Sequence, residues 1–152
     1  MREKKEPIII YTDGSCEPNP GPGGWCGILL EDGRERILKG SDQFSTNNRM
    51  ELTAAIHALK EIDPEKQVVL YTDSQYLKMG VEKWMHDWQA RNWKRKGGSL
   101  ANVDLWKQLS DLIQGRKITW RWVRGHTGNP FNEKADKIAR GMIGPSSKEK
   151  DR

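Results

Sequence analysis

The chain has few cysteines and no long apolar run, and each shortage excludes a class of protein. Its 152 residues include only Cys16 and Cys26. Two cysteines are too few for a disulfide framework or a zinc ligand set, so we expect free thiols. No apolar run approaches the roughly 20 residues that span a bilayer, and the opening stretch MREKKEP lacks a signal-peptide core. We therefore expect a cytoplasmic protein that has no membrane partner.

The composition is typical of a folded chain rather than a disordered one. Charged residues make up 31% and apolar residues 35%, and seven tryptophans are present although the mean hydropathy is low. A chain of this length makes about one domain and removes roughly two thirds of its surface on folding. We expect a single domain over residues 1–143 and a polar, disordered tail over residues 144–152.

Positive charge is concentrated in one part of the chain. The net charge is +5, and residues 78–96 hold six basic side chains against two acidic ones, with tryptophans between them. Such a basic segment indicates a polyanion partner, most simply a nucleic acid. A charged face that is merely solvated is the alternative interpretation.

Strand and turn signals in the first part of the chain predict an antiparallel meander. The run IIIYTDG, residues 8–14, predicts a buried strand that ends at Asp13. The stretches WCGILLE and RERILKG predict two further strands, and Asp32-Gly33 between them is a strong hairpin signal. The chain is therefore predicted to open with three strands paired in sequence order.

A helix and a fourth strand follow. Helical spacing predicts a helix over residues 47–62, which Thr46 or Asn47 caps and Asp63-Pro64 ends. The stretch VVLYTDS, residues 68–74, repeats the pattern that closes the first strand. Because a crossover helix returns the chain in the same direction, the first and fourth strands are predicted to be parallel neighbours. Asp13 and Asp73 should then lie side by side.

Helical patterns dominate the rest of the chain. Two apolar stripes predict two helices, and their residues are Leu77, Val81, Trp84, Met85 and Trp88, then Leu105, Trp106, Leu109, Leu112 and Ile113. The segment NWKRKGGS is the loop between them, Asn102 caps the second helix and Gly115 closes it. The alternating stretch KITWRWV predicts a strand that turns Trp120 and Trp122 toward the core. Asn129-Pro130 begins a last helix, one face of which carries Asn132, Asp136, Ala139 and Ile143.

Three acidic residues stand where packing alone predicts none. Glu51 shares a helix face with Ala54, Ala55 and Ala58, and Asp13 and Asp73 end apolar strands. Each has an ordinary explanation by itself, since an Asp often caps a turn and a Glu can point along the surface. Together, however, they would repel one another unless a cation lay between them. Mg²⁺ prefers such an oxygen-rich site, so the pattern indicates metal ligands.

A fourth acid and a histidine extend this hypothesis. Asp136 lies in the last helix, just after a loop that contains His126. Two Mg²⁺ ions about 4 Å apart on a carboxylate cluster are an arrangement that hydrolyses phosphodiesters, and a nearby His could carry protons. An ordinary surface histidine is the alternative reading of His126.

Several blocks of sequence, in order and in spacing, resemble type 1 ribonuclease H, the bacterial ribonuclease HI family. The blocks are YTDGSCEPNPGPGGWCG, TNNRMELTAAIHAL, YTDSQYL, WKRKG with NVDLW, and RWVRGHTGNPFNEKAD. The resemblance implies an α/β, ribonuclease H-like fold: a five-stranded mixed sheet, with an antiparallel meander plus parallel strands, flanked by helices. It also implies endonucleolytic cleavage of the RNA strand of RNA/DNA hybrids with Mg²⁺ or Mn²⁺, two ions being bound with substrate, and 5′-phosphate and 3′-hydroxyl products.

The resemblance also assigns roles to single residues. It makes Asp13, Glu51, Asp73 and Asp136 the catalytic metal ligands and gives His126 a part in proton transfer or product release. The residues that it places on the minor-groove side of the hybrid, where 2′-hydroxyls identify RNA, are Cys16, Asn19, Asn47, Asn48 and Gln75. Thr46 and Asn102 would hold a phosphate of the DNA strand. The residues of the implied basic protrusion, which grips the duplex, are Trp84, Lys94, Arg95 and Lys96.

Three departures from the family pattern and two rival functions stay open at this point. Phe44 stands where some relatives carry a basic residue, and the protrusion has few charges beyond Lys96, so we expect weaker hybrid binding. No separate hybrid-binding domain precedes Ile8, so we expect less processive cutting by a monomeric enzyme. One rival is a duplex-binding module without catalysis, although four unneutralised carboxylates would weaken its binding to phosphates. The other is an integrase or junction resolvase built on the same sheet.

Overall fold

The computed structural model describes residues 6–94, 100–124 and 128–144. Its strands are β1 Ile8–Cys16, β2 Gly21–Glu31, β3 Arg34–Ser45, β4 Val68–Thr72 and β5 Ile118–Trp122. Its helices are α1 Asn47–Lys60, α2 Gln75–Met79, a π-helical turn Gly80–Trp84, α3 Met85–Ala90, α4 Val103–Ile113 and α5 Pro130–Gly141. The predicted roles of Arg95, Lys96 and His126 lie outside the described residues, as does the predicted tail except Gly144.

The strands form one mixed sheet in the order β3-β2-β1-β4-β5. The first three pair antiparallel, whereas β1–β4 and β4–β5 pair parallel. Asp32 (φ 51°) and Gly33 (φ 76°) both have left-handed backbones, the conformation that closes a two-residue hairpin between β2 and β3. The predicted five-stranded mixed sheet, its meander and its parallel strands are thus confirmed.

Helices cover both faces of the sheet. Alternate residues of β1 point to opposite sides: Ile10 packs in a core cluster with Leu52 and Leu59 of α1, whereas Tyr11 packs against Ala135 of α5. Trp106 of α4, fully buried, belongs to the α1 side. Both cysteines are buried free thiols, as predicted. Within the described residues, no helix combines the length and the apolar character needed to cross a membrane.

Four predicted boundaries in the first half are wrong by a few residues. Strand β2 begins at Gly21 rather than at Trp25, and β3 ends at Ser45 rather than at Gly40, because the two strands pair along their whole length. The helix α1 ends at Lys60 rather than at residue 62, because the Glu61 N–H closes the last turn on the carbonyls of Ala58 and Leu59. Strand β1 does not end at Asp13 but continues to Cys16, since β2 runs alongside it to Gly23. Asp13 therefore lies inside a paired strand, which holds its backbone more firmly than a strand end would.

Three predictions in the second half also need correction. The first apolar stripe is not one regular α-helix, because a π-helical turn starts at Gly80, where a Cβ would lie 2.0 Å from the Trp106 ring. Asn102 stands at the N-cap of α4 but makes no side-chain capping bond, since its backbone is left-handed (φ 60°). Helix α5 ends at Gly141, so Ile143 lies beyond it.

Candidate active site

Three carboxylates from three separate elements meet at one place. Asp13 belongs to β1, Glu51 to the first turns of α1, and Asp73 follows the end of β4. One ligand oxygen from each lies within 4.8 Å of the other two. The parallel register explains why, because Tyr11 pairs with Tyr71 and the two aspartates both follow two residues later. The predicted convergence of these residues is confirmed.

A close contact between β1 and α1 brings Glu51 into the cluster. A Cβ placed on Gly14 would lie 2.3 Å from the backbone carbonyl carbon of Met50 and 2.6 Å from the Glu51 nitrogen. Only glycine allows backbones to approach so closely. Glu51 is only 7% exposed, and Ala54, Ala55 and Ala58 further along the helix are fully buried. The small residues of α1 therefore allow the helix to lie close to the sheet, which places the Glu51 carboxylate beside β1.

The turn that carries Asp73 is held on both sides. The Ser74 N–H donates to the Thr72 hydroxyl at 3.0 Å, and the Ser74 hydroxyl accepts from the Leu77 N–H at 3.1 Å, which caps α2. From β5, the Trp122 indole N–H donates to the Asp73 carbonyl oxygen at 3.1 Å. Trp122 is 39% exposed, so its predicted place in the core is wrong: its ring lies at the rim of the site.

The cluster is electrostatically strained. Burial, repulsion by Asp73 and proximity of Asp136 raise the pKa of Asp13 from 3.8 to about 8. Burial and the neighbouring Asp13 and Asp73 raise the pKa of Glu51 well above its ordinary value. Among the described residues, neither Asp13 Oδ2 nor Glu51 Oε1 has a hydrogen-bond partner, although both oxygens are buried. Hard, oxygen-seeking cations such as Mg²⁺ or Mn²⁺ fit this donor set, because they would supply the positive charge that these oxygens lack.

The fourth acid lies beside the other three but differs from them. Asp136 on α5 is near enough to Asp13 to raise the pKa of Asp13. It is not one of the three acids whose oxygens all lie within 4.8 Å. Arg140, one turn later on α5, donates to both of its oxygens. The helical spacing of this pair is visible in the sequence, but its position at the cluster is not.

Four of the residues assigned to the minor-groove side lie close together near the N-terminus of α1. The Cys16 N–H donates to Asn47 Oδ1 at 2.6 Å, and the Asn47 N–H donates to Asn19 Oδ1 at 3.1 Å. Asn19 and Asn48 are exposed, whereas Cys16 is buried. Cys16 can therefore take part mainly through its backbone. Gln75, also exposed, opens α2 two residues after Asp73.

The two residues assigned to a DNA phosphate are tied together by Arg49. The Thr46 hydroxyl accepts from the Arg49 N–H at 3.1 Å and so caps α1. The Arg49 guanidinium donates to Asn102 at 3.3 Å and forks onto Asp104 at 3.0 and 2.8 Å. The Asn102 amide in turn donates to the Tyr76 hydroxyl at 3.0 Å. Sequence reasoning missed Arg49 and Tyr76, since nothing in their local patterns reveals these long-range partners.

The described residues of the predicted basic protrusion, Trp84 and Lys94, lie near an aromatic cluster and after it in the chain, respectively. Trp84 is half-buried and contacts Tyr76 edge-on, with ring centroids 5.9 Å apart, and Trp88 at 5.8 Å. Asn92 and Trp93 have left-handed backbones that turn the chain after α3, and Lys94 follows them, exposed. Part of Trp84 and the side chain of Lys94 are thus open to a partner.

The fold and the acidic cluster agree with comparisons to known proteins. A family model described as RNase H matches residues 5–143. The chain therefore belongs to the RNase H family, which makes it a nuclease of the hydrolase class. It is 51% identical over 140 residues to the ribonuclease H of Granulibacter bethesdensis, covering 91% of this chain and 93% of that protein. With the ribonuclease H of Ehrlichia chaffeensis it shares 46% identity over 144 residues, covering 94% and 99%.

Solved structures show the same architecture. The crystal structure of LC9-RNase H1, a type 1 RNase H with the type 2 active-site motif, superposes with a TM-score of 0.83 at 34% identity, covering 96% of this chain and 77% of that one. LC11-RNase H1, solved in complex with an RNA/DNA hybrid, gives a TM-score of 0.68 at 20% identity, covering 90% and 96%. The second comparison establishes the shared fold only.

Proposed function

We propose that this chain hydrolyses the RNA strand of RNA/DNA hybrids internally, leaving 5′-phosphate and 3′-hydroxyl ends. It would act as a monomeric, single-domain enzyme over residues 1–143, in the cytoplasm. The observation that carries the proposal is the meeting of Asp13, Glu51 and Asp73 within 4.8 Å, in a chain about half identical to ribonucleases H. Two buried oxygens of this cluster lack a donor among the described residues, which is what a cation-binding catalytic centre requires.

The acids would hold divalent ions, Mg²⁺ or in its place Mn²⁺, with two ions present when substrate is bound. Asp13 would contribute to both ion positions, Glu51 and Asp73 to one, and Asp136 to the other. Such ions activate a water molecule and stabilise the departing oxygen in phosphodiester hydrolysis. The chain's own part is to hold the four carboxylates in place: β1 fixes Asp13, the Gly14 contact fixes Glu51, the turn after β4 fixes Asp73, and α5 carries Asp136. His126 would carry a proton to or from the reacting groups.

The polar surface around the cluster is suited to a hybrid duplex. The RNA strand would be recognised through its 2′-hydroxyls by Asn19, Asn48 and Gln75, which are exposed, together with Asn47 and the backbone of Cys16. Thr46 and Asn102 would hold a phosphate of the DNA strand. The residues that would grip the duplex outside the cleavage site are Trp84, Lys94, Arg95 and Lys96. The fold shared with LC11-RNase H1, which was solved with a hybrid, supports a hybrid duplex as the ligand.

Cleavage of a hybrid labelled on either strand, with Mg²⁺ and with chelator, tests the proposal. We expect the RNA strand alone to be cut, and only with the metal. Asp73→Asn should abolish cleavage, because it removes one carboxylate from the cluster while keeping its shape. Cutting of double-stranded DNA instead would indicate the integrase or resolvase alternative, and metal-independent binding without turnover would indicate a duplex-binding module.

A further inference from the structure

The ion pair between Arg140 and Asp136 has an unusual position. Arg140 Nε lies 3.3 Å from Asp136 Oδ1 and 3.1 Å from Oδ2, and a terminal guanidinium nitrogen also donates to Oδ2. The arginine side chain is 57% exposed and the carboxylate 23%. The pair therefore lies at the rim of the acidic cluster, where the Asp136 carboxylate is the more buried partner and the Arg140 guanidinium faces solvent.

This pairing separates Asp136 from the other acids. Asp13 Oδ2 and Glu51 Oε1 have no hydrogen-bond partner among the described residues, whereas both oxygens of Asp136 accept N–H groups from Arg140. The pKa of Arg140 is raised, chiefly by its hydrogen bond to Asp136 but also by the charge of Asp13. The guanidinium is thus attracted by Asp13 as well as by Asp136.

A divalent ion and this guanidinium compete for the same carboxylate. An ion that binds Asp136 must share or displace the N–H groups, and two cations held so close repel each other. A nucleic-acid backbone offers the guanidinium another partner, because arginine forms bidentate hydrogen bonds with phosphate oxygens as it does with carboxylates. Exposure leaves Arg140 able to make that exchange.

We propose that Arg140 is a positioning residue that keeps Asp136 paired in the substrate-free protein and releases it when a backbone phosphate takes over the guanidinium. Asp136 then becomes fully available to a divalent ion only in the complex with nucleic acid. The inference rests on the proposed function for its phosphate-bearing substrate. Its first test, ion binding to the free protein, requires no cleavage.

Calorimetric titration of Mn²⁺ into the substrate-free protein measures the competition. We expect Arg140→Gln to tighten Mn²⁺ binding by about two- to fivefold, which corresponds to the free energy of an exposed ion pair. The Mn²⁺ affinity of Arg140→Lys should lie between those of Arg140→Gln and the wild type, because lysine cannot form the bidentate hydrogen bond. Lys134→Gln is the matched control. It removes one positive charge from the same helix and breaks an ion pair with Glu35, which lies on β3 outside the cluster.

Two further arms complete the test. In an Asp136→Asn background, Arg140→Gln should change Mn²⁺ affinity clearly less than in the wild type, since the carboxylate for which the ion and the guanidinium compete is gone and only the repulsion between the two cations remains. Binding of a short hybrid in chelator should lose about one unit of its salt slope in Arg140→Gln but not in Lys134→Gln, because one phosphate contact is gone. The inference is overturned if Arg140→Gln leaves ion binding unchanged or weaker, if Lys134→Gln acts equally, or if the salt slope does not move. Hybrid cleavage by the wild-type protein, measured separately, decides the proposed function.

Discussion

The indole nitrogen of Trp122 donates a hydrogen bond to the backbone carbonyl of Asp73, 3.1 Å away. Trp122 is the last residue of β5, and Asp73 directly follows the parallel strand β4, where Thr72 pairs with Trp122 and the Val123 N–H donates to the Thr72 carbonyl. The indole thus extends the β4–β5 pairing by one bond, onto the residue that carries a cluster carboxylate. An exposed aromatic ring is thereby coupled to the geometry of the candidate active site.

Trp122→Phe should lower kcat about fivefold with little change in KM, because it removes one hydrogen bond worth about 1 kcal/mol while keeping an aromatic ring. Steady-state cleavage of a labelled hybrid measures both constants. Trp120→Phe is the control, since Trp120 lies on the same strand but packs against the core. This variant should be less stable than the wild type but should keep a nearly unchanged kcat. An equal loss of kcat in both variants would show that Trp122 has no special role.

Asp13→Asn should stabilise the metal-free protein at neutral and higher pH while abolishing cleavage. The native pKa of Asp13, about 8, exceeds its ordinary value of 3.8, so the folded state binds the proton more tightly than the unfolded state. The contribution of Asp13 to stability is therefore present below pH 4 and is lost as the pH rises toward 8. Above that pH range, removing the charge should raise the free energy of unfolding by roughly 1–3 kcal/mol. The free energy of unfolding should also depend less on pH in the variant than in the wild type.

Urea unfolding in chelator at several pH values measures this effect. Asp111→Asn, on the exposed face of α4, removes one carboxylate that does not belong to the cluster and should change stability little. Saturating Mg²⁺ should stabilise the wild type more than Asp13→Asn, because the ion relieves a repulsion that the variant lacks. A wild-type stability that rises between pH 5 and 8 in chelator would contradict the argument.

Gly14→Ala should destabilise the fold by about 1–3 kcal/mol, since the added methyl group would overlap the Met50 carbonyl and push α1 away from β1. Glu51 would move with the helix, so Mn²⁺ affinity should fall as well. Gly141→Ala is the matched control, because nothing lies within 4 Å of its added Cβ. Thermal unfolding and calorimetric titration measure the two effects, and equal behaviour of the two variants would refute the explanation.

A triple variant in which glutamine replaces Lys94, Arg95 and Lys96 should show a larger rise in KM than fall in kcat. The segment is predicted to contact the backbone of the duplex away from the scissile bond, so its loss weakens binding rather than chemistry. The salt dependence of hybrid binding should also become less steep. An unchanged slope would mean that the segment does not touch the duplex.

A matched triple variant separates this effect from a general loss of charge. Lys60 lies at the end of α1, and Lys66 and Lys117 precede β4 and β5. The candidate site is at the opposite, carboxyl ends of those strands. Glutamine at these three positions removes the same charge but should leave the salt slope nearly intact.

Local patterns in the sequence were sufficient to predict the order of strands and helices and the parallel pairing of β1 with β4. Both depend on short-range signals: β-branched runs, the Asp32-Gly33 turn, and a crossover helix that returns the chain in one direction. That pairing alone predicts that Asp13 and Asp73 meet, and the alanines of α1 show that Glu51 faces inward. The catalytic and substrate-binding roles of individual residues stay predictions.

Tertiary packing alone decided the remaining features of the site. The π-helical turn begins at Gly80, where the backbone lies against the ring of Trp106, a residue 26 positions away in the chain. Asn102 bonds to Tyr76 rather than capping its own helix, and the Trp122 indole bonds to the carbonyl of Asp73, the residue that follows the neighbouring strand. Arg140 could be paired with Asp136 from helical spacing, but its effect on the cluster depends on where α5 docks. Sequence periodicity reports which face of an element is buried; which side chains meet there is set by contacts between elements that are distant along the chain.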